Sequence, residues 1–354
     1  MKSAQLKTRI SGIFQGVINL QSIADQAAQL WQLHDVFSAP NAEGKSLPIS
    51  LRHEFVNNSE PQLVQQTQDE LLALSESEDG PLALYLLSLT DDCHWFSLCA
   101  PVERADLSTL QQVLHQLLSL IEPELDADNI VNFSEVANWL QNIAEDPDKP
   151  ALNTLIAPEK LDNYLKQRLN TGRYNQAQRC SRVCHWPLGH LKNTILATAE
   201  RHQVSLTALV GAAIRTVLQT YNSKAELAYV SSFRSDESLQ AVLGPLTSVL
   251  PLPAQVGPTF ADTLQSEHRA LHDMAELAEC FYQTTASPYC HVYESFEYHS
   301  FAQIQLESVV HTVADSSLAF MLLAQGADLQ LSVTYQQSEF DEHLLGLMLS
   351  LIHI

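Results

Sequence analysis

The sequence predicts an α/β protein in which mixed sheets are flanked by helices, arranged as two halves of similar size. In each half, short apolar runs typical of strands alternate with longer segments whose apolar residues recur at helical spacing. A polar stretch at residues 169–183, with one glycine and two asparagines, lies between the halves. We therefore expect an N-terminal subdomain at residues 1–175 and a second subdomain at residues 176–354.

Composition supports a folded chain and argues against two classes of partner. Of the 354 residues, 45% are hydrophobic and 17% are charged, which is typical of a globular protein with a sizeable core. The 41 acidic and 19 basic residues give a net charge of −22, so we expect no binding to nucleic acids or anionic membranes. No apolar window is long enough for a transmembrane helix, and no secretory leader is evident. We expect a cytoplasmic protein with reduced cysteines.

The first half shows a strand followed by a turn near Gly16 and Asn19, and then a helix with Ile23, Ala27 and Leu30 on one face. A strand at 46–56 and a helix at 67–77 follow. Two apolar runs at 81–102, separated by three polar residues, predict a β-hairpin buried on both faces. A helix is then expected from Leu107 to Ile121 with Asp106 as its cap, and another at 132–145.

The second half repeats this mixture. Residues 188–221 predict two helices broken near Gln203, and 225–233 predict a strand. A proline-rich stretch at 238–256 contains a strand, and an amphipathic helix is expected at 259–277. The remaining segments are strands and a last helix; they are 291–301, 308–315, 317–336 and the run from Ser338.

Common catalytic and metal-binding motifs do not occur. Cys180, Cys184 and His185 form a CxxxCH cluster, but no matched second cluster completes a zinc site, so we expect no metal. HExxH, GxSxG and GxxxxGK[ST] are absent, and no GxGxxG follows a strand. The four tryptophans, Trp31, Trp95, Trp139 and Trp186, are expected to be core anchors rather than a stacking platform.

Five segments, in their order and separation, resemble a condensation domain of nonribosomal peptide synthetases. They are LQSIADQAAQLWQLHDVF, with His34 at the His of the family's RHEILRT; CHWFSLCAPVERADLSTLQQVLHQLL; AYVSSFR; LGPLTSVLPL; and LQLSVTYQQSEFDEHLLGLML. The resemblance runs from about Ile10 to Ile354. It implies two chloramphenicol-acetyltransferase-like subdomains in a V shape around a tunnel. Carrier domains would deliver thioesters there on phosphopantetheine arms, and no cofactor would be bound directly.

The family's catalytic motif, HHxxxDG, is altered here. With Asp106 at the acid, the two His positions fall on Pro101 and Val102; a register one residue earlier places them on Ala100 and Pro101. Neither register supplies a base. The resemblance implies that the second His assists attack of an amine on the thioester. It also implies that Asp106 is structural and pairs with Arg234. Ser248 and Pro253 replace two further motif residues, the Asn and the last Arg of NTLPLR.

We therefore expect a condensation-domain homologue with no catalytic residue, inactive in amide-bond formation. It would dock carrier domains or recruit an adenylation domain or a tailoring oxygenase, as some family members with altered motifs recruit haem monooxygenases. The alternative is an active acyltransferase that uses proximity or a non-standard base. Glu103, His299 and His311 are the candidate bases for that alternative. Side chains alternate in direction after a strand, so Glu103 is not expected to replace Val102 in place.

Overall fold

A computed structural model describes residues 7–41, 44–56, 60–77, 79–118, 120, 130–144, 181–221, 225, 227–252, 255–275, 278, 291–298, 301–311, 318–326, 328–336, 340 and 342–350. Within these ranges the protein has two mixed sheets and nine α-helices. The predicted α/β class is thus confirmed. No helix in these ranges combines the length and the apolar character needed to cross a membrane.

The strands are β1 (Lys7–Gln15), β2 (Ser50–Phe55), β3 (Ala83–Ser88), β4 (Cys93–Pro101), β5 (Ser181–Pro187), β6 (Ala228–Ser232), β7 (Thr247–Pro251), β8 (His291–Tyr298), β9 (Ile304–His311), β10 (Leu318–Gln325) and β11 (Asp328–Gln336). The helices are α1 (Leu20–Leu33), α2 (Asp35–Ser38), α3 (Pro61–Ser77), α4 (Leu107–Leu117), α5 (Phe133–Ala144), α6 (Lys192–His202), α7 (Leu206–Tyr221), α8 (Phe260–Ala275) and α9 (Glu342–Ser350).

The first sheet has the strand order β2-β3-β4-β1-β9. Strands β3 and β4 form the predicted antiparallel hairpin, and β1 lies antiparallel between β4 and β9. All six residues of β3 are buried because helices cover both faces of this sheet. Apolar residues of α4, such as Leu110 and Leu114, pack on one face, and Leu71 of α3 packs on the other.

The second sheet has the order β5-β11-β10-β8-β6-β7. Strand β8 runs parallel to both β6 and β10, whereas the other neighbours are antiparallel. Helices α7 and α8 cover it, with Ile214 and Met274 among their buried residues. Since Met321 and Leu323 of this sheet also belong to the core of the first, the two sheets share a continuous apolar contact.

Strand β9 follows β8 in the chain yet joins the first sheet beside β1. The two sheets therefore do not divide the chain at a single point. The expected boundary between residues 175 and 176 lies outside the described residues and stays a prediction.

Four expectations differ from the structure. Residues 181–183, which were expected to belong to the connector, instead begin β5. This is an edge strand, and its sequence is too polar to show the alternation of apolar residues that predicts a strand. Helix α4 ends at Leu117 rather than Ile121, which is outside the described residues. Helix α3 starts at Pro61 rather than at residue 67. A proline is tolerated in the first turn of a helix because the N–H that it lacks would have no hydrogen-bond partner within the helix. Trp139 is 46% exposed instead of being a core anchor.

Candidate functional site

The loop at residues 101–106, where the resemblance places the altered motif, follows β4 and leads into α4. Its turn is closed by backbone hydrogen bonds from the N–H groups of Arg104 and Ala105 to the carbonyl of Pro101. The guanidinium of Arg104 donates to the carbonyls of Val36, Ala39 and Pro40 at 2.8–3.0 Å. Thr8 in β1 donates from Oγ1 to the carbonyl of Ala105 at 2.9 Å. These contacts fix the loop to the surrounding first half of the chain.

Asp106 serves as the cap of α4 and also joins the two halves. Its Oδ1 accepts a hydrogen bond from the N–H of Thr109 at 2.8 Å, as an N-cap carboxylate does. Its Oδ2 accepts from the N–H of Leu246 at 2.9 Å and from Nη1 of Arg234. The carboxylate is 1% exposed, so every one of these contacts is shielded from water.

Arg234 lies two residues after the end of β6 and forms the other side of this contact. Its Nη2 donates to Oγ1 of Thr109 and to the carbonyls of Val242 and Gly244, each at 2.9 Å. Thr109 in turn donates to the Gly244 carbonyl at 2.8 Å. The structure therefore brings Asp106 and Arg234 together in a buried, multiply hydrogen-bonded ion pair.

Gly244 belongs to the motif-like segment LGPLTSVLPL and is required by its surroundings. Its φ of +151° lies in the region that L-residues with a side chain rarely adopt. A Cβ atom at this position would lie 2.2 Å from Cδ2 of Phe133. The close approach lets the Gly244 carbonyl and N–H reach Thr109, so the glycine is part of the frame around Asp106.

The two registers of the altered motif lead to the same chemical result in the structure. Ala100 and Pro101 are buried at the end of β4, and Val102 is half-buried in the turn. None of these side chains can accept a proton or donate a hydrogen bond. At the His positions of either register, no side chain can act as a general base.

The three candidate bases have different positions. Glu103 is exposed in the turn, and His299 lies outside the described residues. His311 is the last residue of β9 and is buried beside the loop. In the sheet, His311 lies opposite Thr8 of β1, and Thr8 lies opposite Ala100 of β4. Paired residues share a face of a sheet, and neighbouring strands are about 4.8 Å apart, so His311 lies two strands from the motif on the α4 face.

His311 is bonded to a carboxylate that the sequence reasoning did not single out. Its Nδ1 lies 2.7 Å from Oε2 of Glu294 on β8, and the two side chains are 2% and 10% exposed. Burial lowers the pKa of His311, whereas the charge and hydrogen bond of Glu294 and the charge of Asp106 raise it, and the net result is a raised pKa. The signal in the sequence that could have identified Glu294 is a charged residue inside the apolar strand HVYESFEY.

A separate cavity of about 500 Å³ lies between α5, α8 and β6. Trp139 and Phe233 contribute apolar walls, and Ser231, Ser232 and His268 contribute polar groups. Tyr229 also lines it, and burial raises the pKa of this phenol to about 12. In the ranges that the structure covers, no group of three or more His, Cys, Asp or Glu side chains is placed to hold a metal ion.

No protein-family model and no curated protein matches this chain. Solved structures do match it over nearly its whole length. The condensation domain from the monacolin K polyketide synthase MokA has a TM-score of 0.71 at 14% identity, covering 98% of this chain and 91% of that one. VibH, a condensation enzyme of nonribosomal peptide synthesis, has a TM-score of 0.65 at 15% identity, covering 96% and 87%.

A third similar structure is the X-domain from teicoplanin biosynthesis, with a TM-score of 0.67 at 13% identity and coverage of 99% and 89%. At these identities the likeness establishes the fold. This chain has the two-subdomain, chloramphenicol-acetyltransferase-like fold of condensation domains.

Proposed function

We propose that this protein docks carrier domains in a peptide or polyketide assembly line and does not form amide bonds. One observation carries the proposal: aliphatic Pro101 and Val102 occupy the motif's His positions on an intact Asp106–Arg234 frame. In the earlier register Ala100 and Pro101 take those positions, which are equally unable to accept a proton. Loss of a general base typically lowers a rate by a factor of about 10² to 10⁴.

The retained frame favours a docking role over loss of all function. Removing one partner of a buried ion pair is strongly destabilising. The Asp106–Arg234 pair therefore holds the loop at a fixed position against the second half. Arg104 adds three further hydrogen bonds to the same loop. A protein with this frame keeps the shape of the surface around the loop while lacking the base.

The partner class of this proposal is supported by similar structures from polyketide and nonribosomal peptide synthesis. Carrier domains bearing a phosphopantetheine arm are the partners we propose first. An adenylation domain or a tailoring oxygenase recruited to the same assembly line is the further partner of this proposal. The chain itself contributes binding surface and orientation.

Titration with carrier proteins tests the docking role. The purified chain would be titrated with acyl and peptidyl carrier proteins, each with and without the phosphopantetheine arm, and binding followed by calorimetry. We expect measurable binding of the arm-bearing form and weaker binding of the form without the arm. Pairs of carriers loaded with aminoacyl thioesters would then be incubated with the chain and analysed by mass spectrometry, and we expect no peptide above the rate without protein. Peptide formation, or equal failure of all carriers to bind, would refute the proposal.

A second candidate is acyl transfer to an amine with a base from outside the loop. The buried His311–Glu294 pair beside the loop favours it. Orientation of two tethered thioesters can by itself supply several kcal/mol of the barrier. Peptide formation by the unmodified chain that is lost in His311→Gln, with carrier binding retained, would replace the first proposal with this one.

A further inference from the structure

The His311–Glu294 pair has the arrangement of an oriented catalytic imidazole. Nδ1 of His311 is held by the Glu294 carboxylate at 2.7 Å, which fixes the orientation of the ring. Nε2 makes no hydrogen bond to another of the residues that the structure describes. A ring with one nitrogen fixed by a carboxylate and the other available is the arrangement by which a base accepts a proton from a nucleophile.

The imidazole and the altered loop share one face of the first sheet. Thr8 lies between them, paired with Ala100 on one side and His311 on the other, and its hydroxyl donates to the Ala105 carbonyl. Asp106, at the end of the loop, is close enough for its charge to act on His311. His311 therefore lies about two strand spacings from the motif, or roughly 10 Å between backbones.

This displacement and the burial of His311 select a small nucleophile. The imidazole side chain is only 2% exposed. An aminoacyl group on a second carrier could reach Nε2 only together with the phosphopantetheine arm to which it is attached. A water molecule is much smaller and needs far less space beside Nε2.

We propose that His311 is the general base for hydrolysis of a carrier-delivered acyl thioester, with Glu294 as its positioning residue. This inference rests on the proposed function, because carrier docking is what brings the thioester to the loop at residues 101–106. It adds an activity that amide formation does not require: release of the acyl group as a carboxylic acid. The substrate class is an acyl group joined to the sulfur of phosphopantetheine.

The step balances without any additional reactant. Nε2 of His311 takes a proton from water as the water oxygen attacks the thioester carbonyl. The tetrahedral intermediate then collapses, the C–S bond breaks, and the thiolate leaves with the proton returned by the imidazolium. The products are a carboxylic acid and the free thiol of the arm, and His311 is neutral again.

The charges around His311 set the pH dependence of this reaction. Glu294 on β8 and Asp106 at the start of α4 are the acidic groups that act on it, and Arg234 is paired with Asp106. The two carboxylates stabilise the imidazolium, while the base must be the neutral ring. Hydrolysis is therefore expected to rise with pH, with a midpoint above the ordinary histidine value of 6.5.

The test uses a soluble thioester, so that it does not depend on carrier docking. Hexanoyl-pantetheine would be incubated with the whole chain, and free thiol release followed with a thiol-reactive dye from pH 5.5 to 9. We expect turnover that His311→Gln lowers by a factor of about 10² or more. His185→Gln is the matched control, since His185 also has one ring nitrogen bonded to a neighbouring strand, through Ser332 at 2.7 Å. It should retain the wild-type rate.

Glu294→Gln separates positioning from mere folding. This variant should lower the rate less than His311→Gln and should move the pH midpoint downward, because the charge that favours the imidazolium is gone. Thiol release no faster than in buffer, or an unchanged rate in a folded His311→Gln variant, would overturn the inference. If His311→Gln does not fold, an unchanged pH midpoint in Glu294→Gln overturns it. Carrier binding without hydrolysis would refute only this inference. Hydrolysis of the soluble thioester without carrier binding would refute the docking role and carrier delivery, while His311 would remain the base for thioester hydrolysis.

Discussion

Glu294 and His311 connect the two sheets: the carboxylate stands on a strand of the second sheet, and the imidazole, 2.7 Å away, ends a strand of the first. The Asp106–Arg234 pair makes a second connection of the same kind, from the altered loop to the segment after β6. Both pairs are buried, and Asp106 acts electrostatically on His311. The loop at residues 101–106 thus lies beside two buried charged pairs that join the two halves.

The Glu294–His311 pair makes part of the stability depend on pH. The folded state raises the pKa of His311, so the stabilisation is fully present below the unfolded pKa, about 6.5, and is lost as pH rises through the folded pKa. We expect the difference in free energy of unfolding between wild type and His311→Gln to be larger at pH 6 than at pH 9. Urea unfolding at both pH values measures it.

His185 provides the control of opposite sign for that measurement. Burial lowers the pKa of His185, so protonation is disfavoured in the folded state. The contribution of His185 to the free energy of unfolding therefore increases as pH rises. The difference between wild type and His185→Gln should therefore be more favourable to wild type at pH 9 than at pH 6. The same trend for both variants would contradict the assignment of the His311 shift to Glu294 and Asp106.

Asp106→Ala should be among the most destabilising single substitutions in the chain. It removes the α4 cap and leaves the buried guanidinium of Arg234 without its carboxylate. Breaking a buried pair in this way typically costs about 3–5 kcal/mol. Thermal and urea unfolding would measure the loss.

Asp236→Ala is the matched control for this change. Asp236 also caps a helical turn, accepting from the N–H of Ser238 at 2.9 Å, but its side chain is exposed and has no buried cation. We expect it to lose much less stability than Asp106→Ala. Equal losses would show that the cap, and not the ion pair, is what stabilises the motif helix.

Gly244→Ala should destabilise the protein through both backbone strain and a clash. The added Cβ would meet the Phe133 ring at 2.2 Å, at a φ of +151°. We expect a loss of about 1–3 kcal/mol, or more if Phe133 cannot move. Gly326→Ala is the control, because Gly326 also has a positive φ, +53°, but no atom within 4 Å of the added Cβ. A larger loss at Gly326 than at Gly244 would refute this explanation.

Features that depend on local sequence were predictable. The β3–β4 hairpin follows from two apolar runs around Thr90, Asp91 and Asp92, and the cap of α4 follows from an acid before an apolar-periodic segment. The break between α6 and α7 was expected near Gln203, where the backbone has a left-handed φ of 54°.

Features that depend on tertiary pairing were not predictable from one segment. Glu294 and His311 are 17 positions apart and lie on different sheets, so no periodicity relates them. Their contact requires β9 to leave the second half and pair with β1. The anchoring of the loop by Arg104 likewise depends on carbonyls 64–68 positions away. The two possible registers of the motif also remain equivalent, because each places only aliphatic side chains at the His positions.

Placing an imidazole in the loop tests the proposal that this protein does not form amide bonds because a base is absent from the His positions. With Asp106 at the motif's acid, Val102→His places the ring at the catalytic position, while Pro101→His does so in the earlier register. One of the two variants should raise peptide formation from a panel of aminoacyl-loaded carrier pairs by a factor of about 10² over wild type. Val102→Ala controls for the loss of the valine side chain and should give no gain. If both histidine variants bind carriers normally yet form no more peptide than wild type, the absent base does not explain the inactivity, since the frame that would orient it, Asp106 with Arg234, is present.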